Sequence, residues 1–168
     1  QFPHVPTYVL QATVTKAEVL LAAGRYEEAA AGLTALLGAS TLRPAFHTLR
    51  LQQTLARVDT QAGRPTEAIA RYEALLAAYP HHTVDLTLEL ADAYQQAGPP
   101  DRAGPLLHAL LLSSDARTPR DAFRLRRRLA ELSQQTGDVA QSLRLCEELL
   151  AQFPHVPTYV LQATVTKA

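Results

Sequence analysis

The sequence predicts an all-α fold of four helix-turn-helix repeats followed by a ninth helix. Three observations carry this prediction. A glycine recurs at near-regular intervals, apolar residues recur at helical spacing around each glycine, and the opening stretch of the chain returns at its end. Glycine is expected just after a helix, because it adopts a left-handed backbone without steric cost. The four glycines are Gly24, Gly63, Gly98 and Gly137.

The returning stretch is QFPHVPTYVLQATVTKA. It spans 1–17 and, without one change, 152–168, at an offset of 151 residues. The chain is therefore one full period followed by the opening of the next. Two accounts stay open: the chain is a window on a longer periodic assembly, or its first helix was copied to its end as a cap.

Prolines and glycines along the chain predict where the helices begin and end. First helices are predicted to begin near Pro6–Thr7, Pro44, His82–Thr83 and Thr118–Pro119, since proline is tolerated in a helix's first turn. Second helices are predicted over 26–38, 65–78, 100–113 and 138–152. Inside the third, Gly104–Pro105 should make the helix irregular or delay its start. The repeats accordingly span 6–40, 44–80, 82–115 and 118–154, with a terminal helix over 157–168, in a single domain of 1–168.

Small and large residues recur at matching places in these repeats. A small residue stands in each first helix and another early in each second helix, with a large or apolar residue four positions later. These positions are, respectively, Ala17, Ala56, Ala91 and Ala130; Ala29, Ala68, Ala103 and Ser142; and Leu33, Tyr72, Leu107 and Cys146. With the turn glycines and the closing prolines Pro80 and Pro154, they resemble the tetratricopeptide repeat (TPR) over essentially the whole chain.

Two departures mark a degenerate, lengthened version of that family. The aromatic residue early in the first helix is missing, and most intervals exceed the family's period of about 34 residues. The resemblance implies a right-handed α-solenoid, in which small residues let helices approach closely and large ones fill the gaps between repeats.

Composition limits the partners. Hydrophobic residues make up 47% of the 168 residues, and 16 basic residues balance 16 acidic ones. A net charge of zero argues against a general nucleic-acid or anionic-membrane binder, and no stretch approaches the roughly 18 apolar residues of a spanning helix. No secretory signal is visible. The compartment stays open, with an extracellular location expected for a filament and a cytoplasmic one for a monomeric scaffold.

The sequence predicts no catalytic, cofactor-binding or metal site, and therefore no enzyme. His81 and His82 lack the spacing of a metal motif and are interpreted as a solvated turn between repeats. Cys146 has no cysteine partner and stands at a core position, so we interpret it as a small buried hydrophobe. Ser113 lacks the context of a nucleophilic serine.

A run of arginines, RTPRDAFRLRRRLAEL over 117–132, has two readings. One is a site for an acidic peptide, a carboxylate or a phosphate. The other is a solvated helix face neutralised by neighbours such as Asp121 and Glu131. The TPR resemblance implies a concave groove lined by first helices, with alternating charge. Its residues would be Arg50, Arg57, Asp85, Asp92, Arg124, Arg127 and Glu131.

Two functions of different class follow. One is a self-assembling structural protein whose units join head to tail, as a filament or ring, through their matching terminal helices. Its contact residues would be Tyr8, Leu10, Tyr159, Leu161 and Val165. The other is a monomeric scaffold that holds a partner peptide in its groove. The partner is thus a second copy of the chain or a peptide, with no nucleic acid and no membrane insertion.

Overall fold

A computed structural model describes residues 5–38, 45–97, 100–113 and 118–152. These residues form eight α-helices and two single turns of 3-10 helix, and no strand occurs among them. The chain divides into two compact units, Gln1–His82 and Thr83–Ala168. The all-α prediction is confirmed. The predicted terminal helix, 157–168, lies outside the described residues, and the single domain stays a prediction.

Unit 1 contains two antiparallel helix hairpins. Its helices are α1 (Val5–Ala22), α2 (Tyr26–Gly38), α3 (Ala45–Gln61) and α4 (Pro65–Ala78), and a 3-10 turn over Pro80–His82 ends it. Helix α3 packs against both α1 and α2. Leu51, Leu55 and Val58 of α3 therefore share one hydrophobic core with the first hairpin.

Unit 2 repeats this plan. Its helices are α5 (Thr83–Ala97), α6 (Ala103–Leu112), α7 (Pro119–Gln135) and α8 (Val139–Gln152), with a 3-10 turn over Pro100–Arg102 before α6. The number of residues from the start of α3 to the start of α7 equals the number from the start of α4 to the start of α8. Helices α3 and α7 have the same length, and so do α4 and α8. This constant offset, which takes Ala45 to Pro119 and Pro65 to Val139, gives each position of unit 1 an equivalent position in unit 2.

The turn between the two helices of a hairpin explains the recurring glycine. Gly24, Gly63 and Gly137 have φ of 72°, 74° and 81°, in the left-handed region. The next N–H turns back to a carbonyl of the preceding helix, as from Arg64 to Asp59 at 2.9 Å. This is the Schellman geometry, which closes a helix and reverses the chain. The fourth turn glycine, Gly98, lies outside the described residues.

The small-residue positions that the repeat pattern predicts are buried between helices. All twelve signature residues predicted from the repeat pattern are buried, including Cys146. In the fourth hairpin the Ser142 hydroxyl of α8 donates to the Ala130 carbonyl of α7 at 2.9 Å. A side-chain hydroxyl reaches a carbonyl of the facing helix only where the two backbones lie close together.

Helix α6 is the element that differs most from its sisters. It starts at Ala103, because the preceding turn is 3-10, and Pro105 therefore falls in its first turn, where no backbone N–H is needed. The delay expected around Gly104–Pro105 is found, and α6 is the shortest of the described α-helices, with ten residues.

Candidate functional site

The groove residues predicted in unit 2 come together as ion pairs between α5 and α7. Arg124 contacts Asp85 at 2.6 Å, and Asp92 is bound by Arg128. Glu131 accepts from Arg127 at 3.0 Å and from Arg128 at 3.2 Å. Burial raises the pKa of Asp92 above its usual value, against the opposing effect of Arg128.

Arg128 is the residue that sequence reasoning left out of this group. It lies one helical turn beyond Arg124, so it meets α5 beyond Asp85, at Asp92 and Gln95. That helical spacing is the signal that could have found it. On another side of α7, Arg126 lies 3.5 Å from Glu148 of α8. Most of the arginine run thus meets acidic side chains of its own unit.

The groove residues predicted in unit 1 line a small cleft on α3. Arg50 and Arg57 border a volume of about 220 Å³ together with Glu18 and His82. Arg57 lies 3.9 Å from Glu18, and Arg50 is exposed. Among the described residues, no carboxylate pairs with Arg50. The cleft therefore carries one unneutralised guanidinium.

A buried carboxylate that the sequence did not reveal joins α3 to α4. Asp59 accepts from Arg64 at 3.0 and 3.2 Å and from Arg71 at 2.8 Å. Arg64 also reaches Glu27 of α2, so that one guanidinium links α2 to the turn between α3 and α4. These contacts satisfy a charge that could not otherwise be buried.

An exposed apolar stripe runs along α1. Tyr8, Ala12, Thr15 and Val19 recur at helical spacing and border a shallow, mostly apolar groove, which Gln11 and Lys16 also line. Leu10, predicted at an assembly end, is instead buried in the core of unit 1, because it lies on the opposite side of α1. A charge at Leu10 would disrupt the fold rather than a contact. Tyr159, Leu161 and Val165 lie outside the described residues.

The described residues form neither a metal-ligand cluster nor a membrane-spanning helix. Over the described part of the chain, no three histidine, cysteine, aspartate or glutamate side chains gather as metal ligands would. None of the helices in these ranges combines the length and the apolar character that crossing a membrane requires.

Comparison with known proteins identifies the repeats. Residues 59–120 match the family model described as tetratricopeptide repeat. Residues 59–120 carry tetratricopeptide-repeat sequence. No curated protein matches the chain.

Solved structures share the TPR-like fold over nearly the whole chain. One is a candidate kinesin light chain of Podosopora anserina with nearly identical TPR-like repeats. It is 24% identical, with a TM-score of 0.71 over 94% of this chain and 82% of that one. A single-substitution variant of that protein is 23% identical, with a TM-score of 0.72 over 96% of this chain and 84% of that one. MamA MSR-1 C2 is 19% identical, with a TM-score of 0.57 over 97% of this chain and 85% of that one.

The tetratricopeptide register explains why the α1 stripe is unusual. Aligning Ala17 with Ala56 places Ala12 opposite Leu51 and Val19 opposite Val58. Ala12 is exposed and Val19 is 63% exposed, whereas Leu51 and Val58 are 2% and 0% exposed. In α7 the corresponding Leu125 and Leu132 are buried as well. On α3 this face packs into the core that it shares with the preceding hairpin.

Proposed function

We propose that this chain is a protein-interaction scaffold, and that whole copies of the chain associate end to end with one another. The observation that carries the proposal is the exposed stripe on α1. The same face of α3 is buried against the preceding repeat, whereas among the described residues no helix packs on this face of α1. Burying such a face contributes about 25 cal/mol for each Å² of apolar surface removed from water.

The partner surface is α8 of a second copy. Helix α2 supplies Tyr26, Ala30 and Leu37 to the core that also takes Leu51 and Val58 of α3. When Gly24 is aligned with Gly137, the residues of α8 that correspond to those three are Val139, Leu143 and Leu150. All three are apolar, and Val139 is exposed. Helix α8 therefore offers α1 the kind of face that α2 offers α3.

The duplicated stretch supports this pairing. A sequence identical to the start of α1 follows α8 in the chain, as α3 follows α2. The surface of α8 is thus followed in the chain by a stretch with the sequence of α1. In an end-to-end contact, α1 of one copy would meet α8 of another copy in the place that this sequence order gives to residues 152–168. Such a contact is heterologous and propagates unless its rotation closes a ring.

The test is the particle mass of the full chain against concentration, by sedimentation velocity. We expect larger species at high concentration, and smaller ones for Val19→Glu, which places a charge on the exposed stripe without entering the core. Ala35→Glu, at an exposed position on α2, is the matched control and should associate like the parent. A chain ending at residue 152 should associate more strongly, because α8 is then uncontested. Monodisperse monomers of both chain lengths would refute the proposal.

A peptide-binding groove is the second candidate function. It is favoured by the cleft on α3, where Arg50 carries a charge without an acidic partner in the described ranges. The ion pairs between α5 and α7 compete with any ligand there, so we assign an acidic peptide to the Arg50–Arg57 cleft instead.

A further inference from the structure

A cavity of about 580 Å³ opens in unit 2 between α6, the second half of α7 and the start of α8. Its wall is mostly apolar, with Leu112, Leu129 and Leu132 among its lining residues, and Asp101 supplies a carboxylate. Asp101 and Leu112 are exposed. The cavity shares no residue with the stripe on α1 or with the ion pairs between α5 and α7.

Unit 1 shows what occupies the corresponding place. There the Arg64 guanidinium lies between Glu27 and Asp59. The equivalent positions of those two carboxylates in unit 2 are Asp101 and Ser133, and both line the cavity. Unit 2 thus retains a carboxylate, Asp101, at the position of Glu27, and has a serine, Ser133, at the position of Asp59.

The arginine itself is not retained. The equivalent of Arg64 is Asp138, whose side chain accepts from the N–H of Gln141 at 2.9 Å and so caps α8. A short side chain used in this way does not bridge to α6. The place that Arg64 occupies in unit 1 is therefore open in unit 2. Arg64, Glu27 and Asp59 carry one positive and two negative charges in unit 1. The equivalent Asp138, Asp101 and Ser133 carry two negative charges, so unit 2 lacks the cation and is more acidic there.

We propose that this cavity binds an arginine side chain presented by a partner protein. The guanidinium would pair with Asp101, as Arg64 pairs with Glu27, and its methylene stem would lie along the leucines. Arginine suits the place better than lysine, because its planar fork bridges two acceptors. The volume exceeds what one guanidinium fills, so an apolar side chain next to the arginine in the partner would enter as well.

The experiment uses the full chain and three blocked peptides, acetyl-Leu-Arg-Leu-amide and its citrulline and lysine analogues, in amide-detected NMR titrations. Citrulline has nearly the shape of arginine without its charge. We expect the arginine peptide to shift amide signals around Leu112 and Ser133. The citrulline peptide should bind roughly tenfold more weakly, as expected for losing a charge-assisted hydrogen bond. The lysine peptide should fall between them.

Two variants locate the site. Asp101→Asn should weaken arginine-peptide binding by about the same factor, because it removes the carboxylate from an exposed position. Asp138→Arg restores the arginine of unit 1, so it should occupy the place beside Asp101 and abolish binding of the arginine peptide. Asp138→Ala is the matched control, since it also removes the cap of α8 but fills nothing, and it should still bind.

Equal binding of the arginine and citrulline peptides would overturn the proposal, as would the absence of any shift. Retained affinity in Asp101→Asn or in Asp138→Arg would also overturn it. If a variant does not fold, the comparison of peptides on the unmodified chain decides alone. Repeating the titration with Val19→Glu keeps the result independent of self-association.

Discussion

Replacing Asp59 by serine should destabilise unit 1 far more than removing another carboxylate bound to the same arginine. The side chain of Asp59 is 6% exposed, whereas that of Glu27 is 83% exposed. Both bind Arg64, so the comparison isolates the effect of burial. Serine is the appropriate replacement, because Ser133 stands at the equivalent position of unit 2.

The magnitude follows from the contacts. Asp59 accepts three hydrogen bonds from two guanidinium groups. A hydrogen bond to a charged group contributes about 1.5–3 kcal/mol, and losing one partner of a buried pair costs about 3–5 kcal/mol. Both arginines are about one-third exposed and recover hydration when the carboxylate is lost. We therefore expect a loss of about 2–3 kcal/mol for Asp59→Ser and under about 1 kcal/mol for Glu27→Ala.

The assay is urea unfolding followed by circular dichroism, with the free energy of unfolding extrapolated to water. Arg71→Ala, alone and combined with Asp59→Ser, completes a double-mutant cycle and should give a coupling of about 1 kcal/mol or more. The reasoning fails if Glu27→Ala costs as much as Asp59→Ser. It also fails if the two substitutions at Asp59 and Arg71 are additive.

Two further predictions concern a turn and the cleft. Gly63→Ala should cost about 1–2 kcal/mol of unfolding free energy in the same assay, since φ there is 74° and nothing crowds the new methyl group. Gly104→Ala, in ordinary helical backbone, should be neutral or stabilising, and equal losses at both sites would contradict this reason. Arg50→Glu with Arg57→Glu should abolish binding of a fluorescein-labelled tetraglutamate in fluorescence anisotropy. Arg124→Glu with Arg127→Glu should leave that binding intact, and the opposite pattern would place the ligand between α5 and α7.

Much of the fold was predictable, because the turns carry their own chemistry. A left-handed turn accepts glycine almost alone, so Gly24, Gly63 and Gly137 mark the hairpins in the sequence itself. The predicted bounds of α2 and α4 agree with the structure. Helix α6 was harder to delimit. A proline in the first turn of a helix and a proline in its interior look alike in sequence until the start of the helix is known.

The sites depend on distances that no local pattern contains. Asp59 and Arg71 are 12 residues apart, and Arg128 reaches Asp92 across 36 residues, so both contacts follow only from the register between helices. The two sides of α1 are similarly ambiguous. Leu10 and Tyr8 are both large and largely apolar, and only the packing of α2 and α3 on α1 decides that Leu10 enters the core.

The constant offset between the two units has a consequence for valency. Within each period of the chain, Arg64 occupies the place in unit 1 between α2 and the turn from α3 to α4. The equivalent place in unit 2 is the open cavity. Copies joined end to end would then present one arginine pocket per period, at a regular spacing, and never at the junction sealed by Arg64. A partner carrying several arginines at that spacing would gain avidity from the assembly, beyond the affinity of a single pocket.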